Sequence, residues 1–388
     1  MVYLKNRIID MKKLKVIISG GGTGGHIFPA LSIADSLKAL NPENEILFVG
    51  ANGRMEMDRV PKAGYPIIGL DIHGFDRKNL FKNLTLPFKL WKSIRKSKKI
   101  IDEFQPDVVV GVGGYASFPL LKAAQLKGIP TLIQEQNGFA GKANQRIGKK
   151  AEKICVAFEG MERFFPADRI IMTGNPIRSC MKPATPESKA EGIEFYGLDP
   201  ARKHILIVGG SLGCKTLNDA VLGWIETGCP AGNDVEILWQ CGKYYKKDID
   251  KTMLVMAAGN PTLSRIHHTD FISRMDLAYA AADLVISRSG ASSISEICAC
   301  GKASILVPSP NVTEDHQTVN AMALVRKDAA VLIKDSEARE RLIYKAMELV
   351  HNKEELTKME QNVLQLAKPE AARTIAEEVY RILEEKEE

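Results

Sequence analysis

Long apolar runs are missing from this sequence of 388 residues. No stretch of about 18 or more apolar residues occurs, so we expect no membrane-spanning helix. The first residues lack an uninterrupted apolar core and a small-residue cleavage site, so we expect no secretion signal. The seven cysteines are scattered and form no C-x-x-C pair. Neither a disulfide framework nor a zinc site is therefore indicated, and a reducing cytosol is expected.

The composition is that of a soluble globular protein, with 45% hydrophobic and 26% charged residues. A chain of this length exceeds one ordinary hydrophobic core and suits two domains. The net charge of +6 is modest, so the position of the positive charge matters more than its sum.

Short apolar runs rich in β-branched residues alternate with helical patterns along the chain. We predict strands at Leu14–Ser19, Glu45–Gly50, Ile67–Leu70, Asp107–Gly111, Thr131–Gln134, Lys153–Val156, His204–Val208, Val235–Gln240, Asp283–Ser287 and Ser304–Val307. Strands this apolar, separated by helices, indicate parallel sheets covered on both faces, with ligands at the carboxyl ends. The proline-rich stretch Thr173–Gly192 has a linker composition, and a helix pattern begins near Pro369. The sequence therefore predicts an α/β protein with two doubly wound domains that face a cleft.

The first predicted strand runs into GGGTGGHIFPA, in which Gly20, Gly22 and Gly25 satisfy G-x-G-x-x-G. Such a loop lets a phosphate approach backbone N–H groups at a helix N-terminus. A dinucleotide site also needs an acid at the end of the second strand, about 20 residues further on. That strand ends in Val49 and Gly50. The missing acid argues against a nicotinamide- or flavin-dependent oxidoreductase. His26 is either a general base or a side chain that caps or packs the helix.

A second cluster, DLVISRSGASSISEICACG, runs from a strand through Arg288 into a helix that bears Glu296. Ser292 and Ser293 lie at the helix start, a few residues before Glu296, which resembles a capping box. Glu296 therefore either caps this helix or accepts hydrogen bonds from the ribose hydroxyls of a nucleotide. In the second case, the diphosphate lies on the helix N-terminus.

Eight motifs follow the order and intervals of the MurG family: GGTGGHIFPA, GVGGYASFP, EQNGFAGKAN, TGNPIR, GGSLGCKTLN, FISRM, RSGASSISE and EDHQTVNA. The chain resembles this family along essentially all of its length beyond Met11. MurG proteins are peptidoglycan glycosyltransferases that move N-acetylglucosamine from UDP-N-acetylglucosamine onto undecaprenyl-diphospho-N-acetylmuramoyl-pentapeptide (lipid I), which gives lipid II for the bacterial cell wall. The resemblance implies the GT-B glycosyltransferase fold, with two Rossmann-like domains. The first domain would comprise residues 11–177 and 370–388 and face the acceptor and the membrane. The second would comprise residues 178–369 and bind the donor.

The resemblance also implies the site residues. Donor-binding positions are Thr23, Gly24, Gly25, Asn137, Arg178, Ser211, Ile272, Ala291, Ser292, Ser293, Ile294, Ser295, Glu296 and Gln317, and further matching positions are Tyr115, Glu135, Asn144, Asn218 and Arg288. Ile272 would meet the uracil through its backbone, and Glu296 would bind the ribose. Ser211 and Arg178 would lie near the diphosphate. His26 is the candidate base for an inverting transfer to the C4 hydroxyl of the N-acetylmuramoyl sugar.

No cofactor and no protein-bound metal are expected. Asp248 and Asp250 form an Asp-x-Asp pair, a pattern that holds metal in a different glycosyltransferase fold. Four lysines surround the pair, so a solvated helix face is expected instead. Family members often have a small residue in place of Phe118 and histidine in place of Gln134. Both departures bear on acceptor binding.

A basic segment, Arg77–Ile101, contains nine Lys or Arg residues and no acid. Basic charge near interfacial apolar side chains indicates a peripheral contact with an anionic membrane. The resemblance implies that this membrane surface is the cytoplasmic face of the inner membrane. The expected membrane-contacting residues are Leu80, Phe81, Leu84, Phe88 and Trp91. No nucleic-acid-binding motif accompanies the charge, so no nucleic acid is expected. The other interpretation is a helix packed on the sheet, which Ile94 and Phe104 fit.

The motifs are also compatible with two other functions. One is a catalytically silent protein that binds nucleotide sugars. The other is a GT-B enzyme that uses another acceptor.

Overall fold

The computed structural model describes residues 12–74, 85–210, 212–256 and 260–387. The chain divides into two units, one running to Arg178 and resuming at Pro369, the other spanning Ser179–Lys368. Arg178, expected to open the second domain, is the last residue of the first unit before the chain crosses over.

The first unit contains a seven-stranded parallel sheet in the order β3-β2-β1-β4-β5-β6-β7. Its strands are β1 (Lys15–Gly20), β2 (Glu45–Ala51), β3 (Ile67–Leu70), β4 (Val108–Gly113), β5 (Thr131–Glu135), β6 (Lys153–Val156) and β7 (Ile170–Met172). Its helices are α1 (Gly24–Leu40), α2 (Glu56–Lys62), α3 (Leu86–Phe104), α4 (Ser117–Leu126), α5 (Lys142–Gly148) and α14 (Ala371–Glu387), with 3-10 turns at Met161–Arg163 and Ala167–Arg169.

Both faces of this sheet are buried, because side chains alternate between two hydrophobic clusters. Ile17 faces the cluster formed with α3, α4 and α5, whereas Ile18 faces the cluster formed with α1 and α14. Helix α14 is fixed by Tyr380, whose hydroxyl accepts a hydrogen bond from the Asn44 amide at 2.8 Å. The final helix therefore returns to the first unit, as the family resemblance implies.

The second unit contains a six-stranded parallel sheet in the order β10-β9-β8-β11-β12-β13. Its strands are β8 (Lys203–Val208), β9 (Val235–Gln240), β10 (Ile266–Thr269), β11 (Leu284–Ser287), β12 (Ser304–Leu306) and β13 (Val331–Leu332). Its helices are α6 (Pro186–Tyr196), α7 (Lys215–Glu226), α8 (Lys246–Met256), α9 (Met275–Ala281), α10 (Ala291–Cys300), α11 (His316–Val325), α12 (Ala338–His351) and α13 (Lys353–Gln365), with 3-10 turns at Pro261–Arg265, Thr313–Asp315 and Asp335–Glu337.

All ten predicted strands are present within two residues of their predicted ends, and the doubly wound α/β class is confirmed. The sequence missed β7, β10 and β13, which are short strands at sheet edges. An edge strand lacks the continuous apolar run of a strand buried on both faces and is therefore harder to detect.

The predicted linker is shorter than Thr173–Gly192. Thr173 and Asn175 are buried in the first unit, and α6 begins within the stretch at Pro186. Thr185 and Ser188 form a reciprocal capping box, and proline is well tolerated in the first turn of a helix. Proline thus marked a helix start here rather than an extended connection.

No helix in the described ranges is long and apolar enough to span a bilayer.

Candidate functional site

In the first unit, the glycine loop connects β1 to α1, and two of its backbone N–H groups donate hydrogen bonds to other parts of the protein. Gly21 N–H donates to the Gly113 carbonyl at 3.2 Å, and Gly22 N–H donates to Glu56 Oε2 at 2.8 Å. Gly22 has φ +85°, a conformation that favours glycine. Because both N–H groups already have protein acceptors, and one acceptor is a carboxylate, this loop does not resemble a pyrophosphate cradle. The geometry therefore argues against a dinucleotide-dependent oxidoreductase.

Glu56, at the start of α2, is the acid that organises this loop. Its side chain is 1% exposed, and its second oxygen accepts the Ala51 N–H at 3.0 Å. A Cβ atom at Gly21 would lie 2.2 Å from Glu56 Oε1, and one at Gly50 would lie 2.6 Å from Glu56 Cγ. Glycine is thus needed at both positions to make room for the carboxylate. The sequence analysis missed Glu56, since nothing in its spacing distinguishes it from an exposed helix acid.

His26 lies in the first turn of α1, partly buried. Its Nδ1 is 3.0 Å from the Gly21 carbonyl and 3.4 Å from Thr23 Oγ1. A carbonyl oxygen only accepts hydrogen bonds, so Nδ1 carries the proton and Nε2 carries the basic lone pair. The ring lies against Gly113, where a Cβ would come within 2.8 Å of Nε2. Thr23 is the N-cap residue but makes no side-chain capping bond.

Tyr115 follows β4 and is exposed, with the Arg54 guanidinium 5.5 Å from its ring centroid. A Cβ atom added at Gly22 would lie 3.9 Å from the Tyr115 ring, so Tyr115 lies beside the glycine loop. Thr23 and Gly25 are also exposed, and Gly24 is partly exposed.

Glu135 and Asn144 form the frame of the loop that follows β5. Glu135 is buried, and its two oxygens accept from the N–H groups of Asn137 and Gly141 at 3.1 Å and from Asn144 Nδ2 at 2.8 Å. Both residues thus shape the loop from within. Asn137 is partly exposed on it.

Gln134 and Phe118, the two departures from the family pattern, are a buried residue and a half-buried one. Gln134 is fully buried and donates to Asn175 Oδ1 at 2.9 Å, while Gln136 Nε2 donates to Gln134 Oε1. Phe118 is half-buried and packs against the core on the α4 face. The departure at Gln134 is therefore satisfied inside the protein by neighbouring amides.

In the second unit, α10 starts at Ala291 with Gly290 as its N-cap and no side-chain cap. Of the two interpretations of Glu296, capping is excluded, because Glu296 lies in the second turn, past the position from which a side chain reaches the N-cap. Ser295 Oγ donates to the Ala291 carbonyl at 2.9 Å, and Ile294 is buried in the core. Ile294 can therefore meet a ligand only through its backbone. Ser292, Ser293 and Glu296 are partly exposed.

Gln240, at the end of β9, connects two loops of this unit and was not predicted as a site residue. Its Nε2 donates to the Gly210 carbonyl at 2.8 Å, and its Oε1 accepts the Ile272 N–H at 2.8 Å. The Ile272 N–H is thus engaged within the protein, so a backbone contact with uracil has to use its carbonyl. A polar residue at the carboxyl end of a buried strand is the signal that could have revealed Gln240.

Asn218 and Arg288, two matching positions of the family pattern, have structural contacts. Asn218 is buried, donates to the Cys241 carbonyl at 3.0 Å and accepts from Trp239 Nε1 at 3.0 Å. Arg288 donates to the Val307 carbonyl at 2.9 Å and pairs with Asp335 at 2.6 Å. Both therefore hold loops rather than project into solvent.

Gln317 lies in the first turn of α11, and its Oε1 accepts the Ser309 N–H at 2.9 Å. This bond orients the side chain so that its amide nitrogen acts as the donor. Arg178 is exposed at the end of the first unit. Ser211 lies outside the described residues.

The Asp-x-Asp pair lies on α8. Asp250 accepts hydrogen bonds from Lys246 and from His268 Nε2 at 2.8 Å, and these neighbours lower the pKa of its carboxyl. Asp248 is exposed in the first turn of the helix. Across the described residues, no group of three or more His, Cys, Asp or Glu side chains is placed to hold a metal ion.

The basic segment forms α3 from Leu86 onward. Ile101 is buried against the sheet, whereas Phe88 and Trp91 are 66% and 57% exposed, with ring centroids 6.1 Å apart. Helix α3 therefore has one side packed on the sheet and an exposed aromatic pair near its start. Leu80, Phe81 and Leu84 lie outside the described residues.

Comparisons with known proteins agree with this arrangement. Residues 16–156 match the glycosyltransferase family 28 N-terminal domain, and residues 204–378 match its C-terminal domain. A protein of Parabacteroides distasonis named UDP-N-acetylglucosamine--N-acetylmuramyl-(pentapeptide) pyrophosphoryl-undecaprenol N-acetylglucosamine transferase is 52% identical, over 97% of this chain and 100% of that protein. A protein of the same name from Phocaeicola vulgatus is 55% identical, over 96% of this chain and 97% of that protein.

A crystal structure of MurG from Acinetobacter baumannii has the same fold, with a TM-score of 0.75 and 29% identity over 95% of this chain and 100% of that one. The family expected from the eight motifs is confirmed by these matches. The chain belongs to glycosyltransferase family 28 and, within it, to the MurG glycosyltransferases.

Proposed function

We propose that this chain transfers N-acetylglucosamine from UDP-N-acetylglucosamine to undecaprenyl-diphospho-N-acetylmuramoyl-pentapeptide, the lipid I of peptidoglycan synthesis. The proposal rests on sequence identity. More than half of the aligned residues of this chain are identical to those of proteins named for this reaction, over almost their whole length. Relatives this similar along both domains share the elements that bind both substrates.

The second unit supplies the donor site. The start of α10 has no side-chain cap, so its first N–H groups and its positive dipole end are suited to the UDP diphosphate. Glu296, in the next turn, accepts from the ribose hydroxyls, and Gln317 donates to the sugar. Diphosphate charge grows as the bond to the sugar breaks, and donors already fixed in place stabilise it without reorganising.

The first unit supplies the base. The acceptor hydroxyl attacks the anomeric carbon, the bond from that carbon to the diphosphate oxygen breaks, and UDP departs with the bonding electrons. His26 Nε2 takes the hydroxyl proton. The contact between Nδ1 and the Gly21 carbonyl keeps the ring proton on Nδ1, which leaves the basic lone pair on Nε2. Attack opposite the leaving group inverts the anomeric centre and gives a β-linked disaccharide.

The exposed aromatic pair of α3 supplies the membrane contact. Phe88 and Trp91 project among Lys92, Arg95 and Lys99, which are exposed on the same helix. Apolar rings enter the interface, while the basic side chains are attracted to anionic headgroups. The chain thereby reaches a lipid-linked acceptor as a peripheral protein on the cytoplasmic side of the membrane.

A substrate matrix tests this proposal. Purified protein is incubated with a short-chain lipid I analogue and, in turn, UDP-N-acetylglucosamine, UDP-glucose and UDP-N-acetylgalactosamine. Transfer of N-acetylglucosamine well above the other two sugars is expected, with none when the analogue lacks the N-acetylmuramoyl C4 hydroxyl. Equal transfer to the deoxy analogue would show that another group is the acceptor.

A further inference from the structure

We propose that Glu56 is a positioning residue for His26, acting through the peptide that joins Gly21 to Gly22. The inference rests on the proposed function in one respect, the role of His26 as the base. Glu56 touches no substrate; its effect is on the orientation and tautomer of the imidazole.

A single peptide unit connects the two side chains. Its N–H, on Gly22, donates to Glu56 Oε2 at 2.8 Å. Its carbonyl, on Gly21, accepts from His26 Nδ1 at 3.0 Å. The carboxylate and the imidazole therefore bind opposite ends of the same dipole.

This peptide is held from several sides. Glu56 is fixed by its second hydrogen bond, from Ala51 N–H at 3.0 Å, and is almost fully buried. The Gly21 N–H is held by the Gly113 carbonyl, and the space that a Cβ at Gly21 would need is filled by the Glu56 carboxylate. The peptide consequently has little freedom to rotate, and its carbonyl points to His26 in one direction.

The electrostatic consequence follows from hydrogen-bond cooperativity. A carboxylate on the N–H side polarises the peptide and makes its carbonyl a stronger acceptor, more so in a buried site. A stronger carbonyl acceptor favours the imidazole tautomer with the proton on Nδ1, which leaves Nε2 as the base. The arrangement has the logic of a carboxylate that orients a catalytic histidine, with one peptide placed between them.

Glu56→Gln is the direct test. Glutamine has the shape of glutamate, but its NH2 group would face one of the two backbone N–H donors and cannot accept that hydrogen bond. Asp58→Asn is the matched control, since Asp58 lies on the same helix but is exposed and pairs with Lys62 at 2.7 Å. Nitrogen-15 NMR on histidine-labelled full-length protein reads the His26 tautomer, and His26→Asn identifies its signals. Turnover and affinity for UDP are measured on the same samples.

We expect the Nδ1–H tautomer in wild type and Asp58→Asn, and a shift toward the Nε2–H form in Glu56→Gln. Turnover in Glu56→Gln should fall about 10- to 100-fold, with UDP affinity unchanged. If Glu56→Gln fails to fold, Glu56→Asp, which keeps the charge but is too short to hold both donors, replaces it.

An Nε2–H tautomer in wild type, or an unchanged tautomer in a folded Glu56 variant, overturns the inference. These readings are independent of sugar transfer. A failure of the proposed function, seen as no transfer by wild type, is therefore distinguishable from a failure of the link between Glu56 and His26.

Discussion

Gln240 Oε1 accepts the backbone N–H of Ile272 at 2.8 Å, at the carboxyl edge of the second sheet. The amide nitrogen of the same side chain donates to the Gly210 carbonyl, so one buried residue joins the loop after β8 to the loop after β10. In the proposed site, the first loop lies near the diphosphate and the second near the uracil. If the nucleotide binds as proposed, Gln240 sets the spacing between the loops at its two ends.

Gln240→Leu is expected to weaken UDP binding about tenfold. The change removes both hydrogen bonds and leaves buried backbone groups without partners, at a cost of about 1–3 kcal/mol for each group. Calorimetry with UDP measures the effect. Gln361→Leu, at an exposed position of α13 in the same unit, is the matched control. If both variants bind UDP equally well, the joining role assigned to Gln240 is wrong.

His26→Ala is expected to lower turnover by roughly 10²–10⁴-fold, the usual contribution of a general base. Affinity for UDP should change little, because the proposed nucleotide site lies in the second unit. Steady-state kinetics at saturating substrate and a separate UDP titration separate the two effects. His351→Ala, which removes an exposed histidine paired with Asp234, serves as control. Wild-type turnover in His26→Ala would remove His26 from the mechanism.

Glu296→Gln is expected to raise the Kd for UDP by about one to two orders of magnitude, since hydrogen bonds to a charged group contribute about 1.5–3 kcal/mol. Comparing UDP with 2′-deoxy-UDP tests the contact itself. Wild type should prefer UDP strongly, and the preference should be reduced in the variant, because a neutral amide oxygen is a weaker acceptor than a carboxylate. A variant with the full wild-type preference would place the ribose away from Glu296.

The α3 surface is expected to bind anionic vesicles better than neutral ones, because each basic residue near the surface contributes about 1 kcal/mol. The double variant Phe88→Ala and Trp91→Ala should lose about tenfold or more in vesicle affinity, because the loss of each ring removes apolar area that would be buried in the membrane interface. Vesicle co-sedimentation measures both. Leu126→Ala, at an exposed apolar residue on α4, is the control. Equal binding to both vesicle types would contradict the electrostatic part.

The second unit is expected to lose stability as the pH falls below neutral, in part through His204. Burial lowers the pKa of His204 below its ordinary value of 6.5, despite Asp283 and Glu236 nearby. The unfolded chain therefore binds a proton that the folded chain does not, so stability falls as the pH drops through 6.5 toward the folded pKa.

Urea unfolding at pH 7.5 and 5.5, followed by the buried Trp224 and Trp239, measures this loss. His204→Gln keeps a donor for the Asp199 carbonyl but does not titrate, so it should lose less stability over the same interval. Equal losses in the two proteins would assign the pH dependence to other groups.

The central strands of both sheets could be predicted from the sequence because strands buried on both faces are continuously apolar. Edge strands such as Ile266–Thr269, which contains two histidines, carry no such signal. Thr173–Gly192 was partly misassigned because proline and small polar residues also begin helices, as at Pro186.

The motifs assign the candidate site to loops that follow the strands, but motif spacing does not separate exposed from buried polar residues. Asn218 and Glu135 match the family pattern, yet both hold loops from within. Glu56 carried no signal, since its role depends on a contact with Gly22, 34 residues away along the chain. Such long-range partners are set by the packing of the fold and not by local spacing.

The linkage of the product is the decisive measurement for the proposed transfer. Wild-type protein, UDP-N-acetylglucosamine and the lipid I analogue are incubated to completion, and the purified product is analysed by proton NMR and mass spectrometry. One new β-glycosidic bond to the C4 oxygen of the N-acetylmuramoyl sugar is expected, with one UDP released per bond. An α-linked product, or UDP release without a new disaccharide, would rule out the proposed inverting transfer.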